Sequence, residues 1–359
     1  MAAAAAVAAA PRSLRLEASP SSSVIRLDKS ENAYGPSPLA LAVMKASAKS
    51  AHTDPNHGAE ALRKAIAVYH HVTPEHVTRS CGDGEMLRMA VDAFAPPGRR
   101  IVVALPTVEA QRLWADRGAD LVEVPLRKDH AHDLDAMLAS CDARTGLIYI
   151  CNPNSPTGTL TRRADIEAFL RRLPIGAHVL IDEAYHDYTG GSSEHVSFAD
   201  RPVDDDRVIV WRSFSTIHGL AGLRLAYAIA APRTAQRLAA HRAPEDVTAA
   251  GASAAIAALG DVDYLRTSVS RNADDRQEFL NQANARMLRT IDSRTNFVML
   301  DTDRHSVRMI EHFRTNGIVL PGPVPEFAKH IRVSLGTPPE MHEFWRVMDL
   351  LPPHMIMSM

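Results

Sequence analysis

A chain of 359 residues is longer than one compact core needs and suits a large domain joined to a smaller one. Hydrophobic residues at 46% and charged residues at 23% exclude a disordered chain. A formal net charge of −2 argues against nucleic acid or a membrane surface as a partner.

The three cysteines (Cys81, Cys141 and Cys151) leave at least one unpaired within the chain and show no zinc spacing, which suits a reducing compartment. The 17 histidines are scattered without metal-ligand spacing, so no metal is expected. Residues 1–10 are alanine-rich but lack the basic start and strongly apolar core of an export signal. A flexible arm over 1–24 and a cytoplasmic protein are expected, with a trimmed export signal as the alternative. No stretch is long and apolar enough to suggest a membrane span.

Ordered structure is expected from about Ile25. The spacing predicts helices over 39–50 and 59–71, the second with Leu62, Ile66 and Tyr69 on one face. Strands and helices then alternate. Strands are predicted over 77–81, 100–104, 120–124, 146–151, 178–182 and 207–211, with a further apolar run at 225–230. Helices are predicted over 85–94, 109–117, 133–140 and 162–172. Near-continuous apolar strands between helices imply an α/β fold with a mostly parallel sheet covered on both faces, and ligands beyond the strands' carboxyl ends. Residues 234–286 read as mainly helical. Residues 296–300, 306–315 and 330–335 read as strand, helix and strand of a smaller α+β unit. The expected organisation is a large domain over 48–250 and a small domain from 25–47 and 251–359.

Five polar segments fall where a site would lie. Residues 80–85 (SCGDGE) form a strand-to-helix turn whose backbone N–H groups suit an anion, although Asp83 could simply cap the helix. Residues 152–158 (NPNSPTG) form a Pro- and Gly-fixed turn after a strand. In IDEAY (181–185), Asp182 ends an apolar strand and needs a partner such as a pyridinium N–H. Capping is its plainer role, and Tyr185 either reaches a ring hydroxyl or packs. In residues 212–224 (RSFSTIHGLAGLR), Ser213 and Ser215 can point the same way, and Arg224 offers a charge-assisted phosphate contact. In HIRVSLG (330–336), Arg332 must find an anion, either a substrate group or an internal carboxylate.

In combination these segments resemble the class I/II aminotransferases of pyridoxal-phosphate (PLP) fold type I, most closely the histidinol-phosphate aminotransferase-like branch. Residues 27–38 (LDKSENAYGPSP) and 295–297 (TNF) are similar to two further signatures of that branch. The resemblance spans about 25–351. It implies a large domain with a mostly parallel, helix-covered sheet, a smaller α+β domain, and a homodimer with active sites at the subunit interface. It implies that Asp182 meets the pyridine nitrogen and Tyr185 the ring hydroxyl. Asp83, Gly84, Glu85, Ser213, Ser215 and Arg224 would surround the phosphate, Arg332 would hold the substrate's anionic group, and Tyr34 would border the substrate.

The chain departs from the family pattern at the lysine that bonds the cofactor. The motif SFSK-x-x-GL reads Ser213-Phe214-Ser215-Thr216-Ile217-His218-Gly219-Leu220, with the spacing to Arg224 kept. Ser155 stands where an asparagine meets the ring hydroxyl, and Gln111 falls where an aromatic side chain stacks on the ring. His52 falls near the tyrosine that reaches the partner's phosphate. Thr216 can neither form an imine nor act as a strong base. The resemblance therefore implies weak, non-covalent PLP binding and impaired transamination of a small amino-acid-like or phosphorylated amine. Lys29, Lys329 and His218 lie where a replacement group could stand, but relatives can carry similar lysines without using them so, and histidine at 218 fits the ordinary motif better than a base. A non-catalytic binding or regulatory homologue and a conventional aminotransferase inactivated at Thr216 are the competing readings.

Overall fold

The computed structural model describes residues 24–107, 118–191, 195–202, 205–244 and 247–351. The chain opens with β1 (Ile25–Arg26), α1 (Pro38–Ser47) and α2 (Asn56–Tyr69). Next come β2 (Val77–Ser80), α3 (Gly82–Phe94), β3 (Arg100–Leu105), β4 (Asp120–Pro125), α4 (Leu134–Ala139), β5 (Thr145–Cys151) and α5 (Arg163–Leu170). They are followed by β6 (His178–Asp182), β7 (Val208–Ser213), β8 (Ala226–Ala230), α6 (Pro232–Ala239), α7 (Ala249–Gly260) and α8 (Val262–Ala285). The last elements are β9 (Arg289–Thr290), β10 (Phe297–Asp301), α9 (Ser306–Thr315), β11 (Ile318–Val319), β12 (His330–Ser334) and α10 (Pro338–Asp349).

β2 to β8 form one seven-stranded sheet in the order β2-β8-β7-β6-β5-β3-β4. Only β8 runs antiparallel to its neighbours; the remaining pairings are parallel. Both faces are buried, which explains the near-continuous apolar strands. Alternate residues feed two apolar layers. Val102, Ile148, Ile150, Val179 and Ile181 pack towards α1, α2, α5 and α7. Ile101, Val103, Tyr149, Cys151 and Leu180 pack towards α3. Each fully buried Val or Ile side chain contributes roughly 1.5–3 kcal/mol.

A third apolar layer joins β10, β12, α8, α9 and α10 and takes in Leu27 just after β1. This is the smaller α+β unit. β1 pairs parallel with β11, so the N-terminal segment is stitched into it. α1 begins at Pro38 with Ser37 capping the Ala40 N–H.

The strand at 178–182 and the helix at 306–315 coincide with the sequence expectation. The helix expected over 109–117 falls wholly outside the described residues. α1 and the body of α7, expected with the small domain, pack in the large one: Ala40, Ala252, Ala255 and Leu259 share its apolar layer with Leu62 and Ile66 of α2. No helix among the described residues is long and apolar enough to cross a membrane.

Candidate active site

The carboxyl ends of β5, β6 and β7 carry three of the polar segments to one place. After β5, the turn 152–158 is held by its own asparagines. Asn152 donates to the Thr161 carbonyl at 3.0 Å and accepts from the Thr161 N–H at 2.8 Å. Asn154 donates to the Pro106 carbonyl at 3.1 Å and to Thr157 at 2.9 Å. Ser155, next in the chain, is buried with its hydroxyl 3.5 Å from Arg332 Nη1.

At the end of β6, Asp182 is 3% exposed. Its Oδ2 accepts the Tyr149 hydroxyl at 2.5 Å, and its Oδ1 accepts the Ala184 N–H at 2.9 Å. Burial pushes its carboxyl up to about 7, and the charge of Asp83 adds to this, against the hydrogen bonds from Tyr149, Ala184 and Cys151. Tyr185 packs edge-on against Phe297 at 5.2 Å, and burial raises its phenol. The Arg332 guanidinium lies over the other partner of that contact, 4.4 Å from the Phe297 ring centre, and donates to the Ser30 hydroxyl.

The anion-suited turn follows β2. Gly82 adopts φ +74°, and a Cβ there would fall 2.4 Å from Arg224 Nη2. Only glycine allows the guanidinium this close to the start of α3. Asp83 has its carboxyl raised by burial, with Ser213 and Arg224 pulling the other way. The Ser215 N–H donates to Ser213 Oγ at 3.1 Å. The Ser215 hydroxyl, one Asp83 oxygen and Arg332 Nε are buried without a hydrogen-bond partner among the described residues. Buried polar atoms are normally satisfied, so these three suit a polar ligand.

Thr216 is 6% exposed and donates its hydroxyl to the Ala184 carbonyl at 2.6 Å. It therefore touches the turn two residues past Asp182, beyond the end of β6. The chain's six lysines are Lys29, Lys45, Lys49, Lys64, Lys128 and Lys329, and all six are exposed. Lys329 is paired with Asp303 at 2.7 Å.

Other expected residues have partners or surroundings of their own. The Glu85 carboxylate turns back to accept the Cys81 N–H at 2.5 Å and the Ala243 N–H at 2.8 Å, so its charge is already engaged by backbone donors. His218 is buried against Phe214, with ring centres 5.0 Å apart, and burial lowers it to about 4. A histidine so hard to protonate and so enclosed is poorly placed as a base. Tyr34 bonds Asp275 at 3.0 Å beneath Arg271, and burial with that carboxylate pushes its phenol up to about 12. Gly84 and His52 are exposed, and Gln111 lies outside the described residues.

The N-terminal segment straps this site. Asn296 donates to the Ser30 carbonyl at 2.8 Å, and Asn32 donates to the Ile217 carbonyl at 2.8 Å. Ser30 and Tyr149 were not singled out from the sequence. A short serine and a tyrosine within an apolar strand carry no local sign of a site.

Residues 22–347 match the family described as aminotransferase class I and II. The chain is 32% identical over 327 residues to histidinol-phosphate aminotransferase of Moorella thermoacetica, covering 90% of this chain and 84% of the relative. It is 33% identical over 322 residues to an aromatic amino acid aminotransferase of Rhodococcus jostii, covering 89% and 88%. The crystal structure of histidinol-phosphate aminotransferase from Sinorhizobium meliloti, in complex with pyridoxal-5′-phosphate, superposes with a TM-score of 0.84 at 27% identity, covering 91% of this chain and 92% of the other.

Proposed function

Because the chain belongs to the class I and II aminotransferase family, we propose that it is a diverged member that acts on a small amino-acid-like or phosphorylated amine in a PLP-type pocket without a covalent lysine link. The observation that supports this reading is the placement of its amines. Thr216 is buried beside Asp182's strand end, while every lysine of the chain is exposed. No lysine therefore takes the buried position that Thr216 holds.

The remaining residues fit the cofactor of the family. Asp182 would accept the ring N–H, with Tyr185 and Ser155 towards the ring hydroxyl and Gln111 at the ring face. The backbone at Asp83, Gly84 and Glu85, with Ser213, Ser215 and Arg224, would hold the phosphate. Arg332 would hold the substrate's anion and Tyr34 would border it. When bound, the cofactor supplies an electron sink for charge that develops on the substrate carbon. Thr216 adds no amine and only a weak base, which costs roughly 10²–10⁴-fold in proton transfer. Binding is accordingly weak and non-covalent, and a homodimer would complete the site.

The relatives' names, one for a phosphorylated amine and one for aromatic amino acids, bracket the substrate class. The changes at Thr216, Ser155 and Gln111 favour a second reading, a non-catalytic binding homologue. Incubating the chain with amine panels and either PLP or pyridoxamine phosphate, followed by mass spectrometry, separates the two. The enzyme reading expects a product that Arg332→Ala abolishes. Binding without any product across the panels leaves only the second reading.

A further inference from the structure

Beneath Asp182 the sheet places two further proton donors. Tyr149 and Cys151 are two apart on β5, so their side chains leave the same face. Register pairs Cys151 directly with Asp182 on β6. The Tyr149 hydroxyl is 2.5 Å from Asp182 Oδ2, and Cys151 Sγ is 3.7 Å from the same oxygen. The Ala184 N–H takes Oδ1 at 2.9 Å. Both carboxylate oxygens are thus fixed, and the group cannot rotate freely. Tyr149 is 1% exposed, so its hydroxyl is not held there by solvent. Burial, reinforced by the charge of Asp182, raises both the phenol and the Cys151 thiol well above their usual values. Both therefore stay protonated and act only as donors.

We propose that Tyr149 is a positioning residue: its hydroxyl holds Asp182 anionic and aimed, so that the ring nitrogen of the bound ligand keeps its proton. This rests on the reading above that the pocket takes a PLP-type ligand. The groups facing Asp182 are Tyr149 and Cys151 from β5, the Ala184 N–H from the turn after β6, and Asp83 from the start of α3. The first three favour the anion, and Asp83 opposes it. A buried carboxylate that loses a donor takes up a proton at higher pH.

The test uses the full chain and pyridoxamine phosphate, whose binding needs no lysine. Affinity is measured by calorimetry from acid to mildly alkaline pH. Below the point where Asp182 protonates in the free chain, binding must release a proton, and affinity falls about tenfold per pH unit. Removing a hydrogen bond to a charged group moves that limb up by about one to two pH units in Tyr149→Phe. Fluorinated tyrosine, a stronger donor, moves it down and carries the test if Tyr149→Phe does not fold. Asp182→Asn abolishes the limb. A limb that Tyr149→Phe and fluorination leave in place, or one that survives Asp182→Asn, overturns the inference alone. No saturable binding by the unmutated chain overturns the pocket reading and the inference with it.

Discussion

At the scale of single residues, the proposed chemistry turns on Thr216. Its hydroxyl is committed to the Ala184 carbonyl at 2.6 Å, and a secondary alcohol cannot hold an aldehyde as an imine. Restoring an amine should therefore restore covalent capture. Thr216→Lys is expected to retain PLP through gel filtration and to yield an adduct that borohydride fixes at position 216. Amine transfer should follow only in part, because Ser155 offers a short hydroxyl 3.5 Å from Arg332. Adding Ser155→Asn to Thr216→Lys should raise transfer a further 3- to 10-fold, about the worth of one hydrogen bond. Steady-state rates of the two variants check this. Equal rates would mean that position 155 does not matter.

Elements set where these residues stand, and the turn into α3 is the most exacting. Gly82 sits at φ +74° with the Arg224 guanidinium where a Cβ would be. Gly82→Ala should cost about 1 kcal/mol or more in stability and push Arg224 away from the turn. Affinity for pyridoxamine phosphate should then fall at least tenfold, more than the stability loss alone explains in a chain still fully folded. Gly219, at φ +67°, plays a comparable part under the N-terminal strap, since a Cβ there would lie 2.3 Å from the Gly35 carbonyl oxygen.

Much of this layout was legible from pattern. Strand runs such as HVLID and the periodicity of 306–315 pointed to their elements, because burial of whole strands and of one helix face leaves a local trace. The docking of α1 and α7 was not legible. α7 reads AAGASAAIAALG, and an alanine-rich helix has no apolar stripe to say which way it faces. The burial of Asp182 was legible from a carboxylate closing an apolar strand. The Ser30–Arg332 contact joins positions 302 apart and follows only from tertiary packing. Glu85 shows the converse: the motif marked it, yet its carboxylate serves two backbone N–H groups.

Across the whole molecule, buried titratable groups make stability depend on pH with opposite signs. His132 is 3% exposed, and burial lowers it to about 4. The unfolded chain takes up that proton near pH 6.5, so the fold is favoured above 6.5 and loses stability as pH falls towards 4. Asp182 is raised to about 7, so its contribution is complete below its unfolded value and is lost as pH rises through 7. His132→Asn should flatten the acid loss by up to about 1.4 kcal/mol per pH unit over pH 6.5–4, whereas Asp182→Asn should steepen it. Denaturant unfolding at several pH values checks both signs. The proposed homodimer makes a simpler demand: light scattering should return twice the chain mass of 39.2 kDa.

An aminotransferase pocket that holds its cofactor without a lysine is tested most directly by titrating the full chain with PLP, passing it through gel filtration and treating it with borohydride. The expected result is saturable binding that is lost on the column, with no lysine of the pocket modified. A complex that survives the column, and that borohydride fixes to a lysine of this pocket, would contradict it.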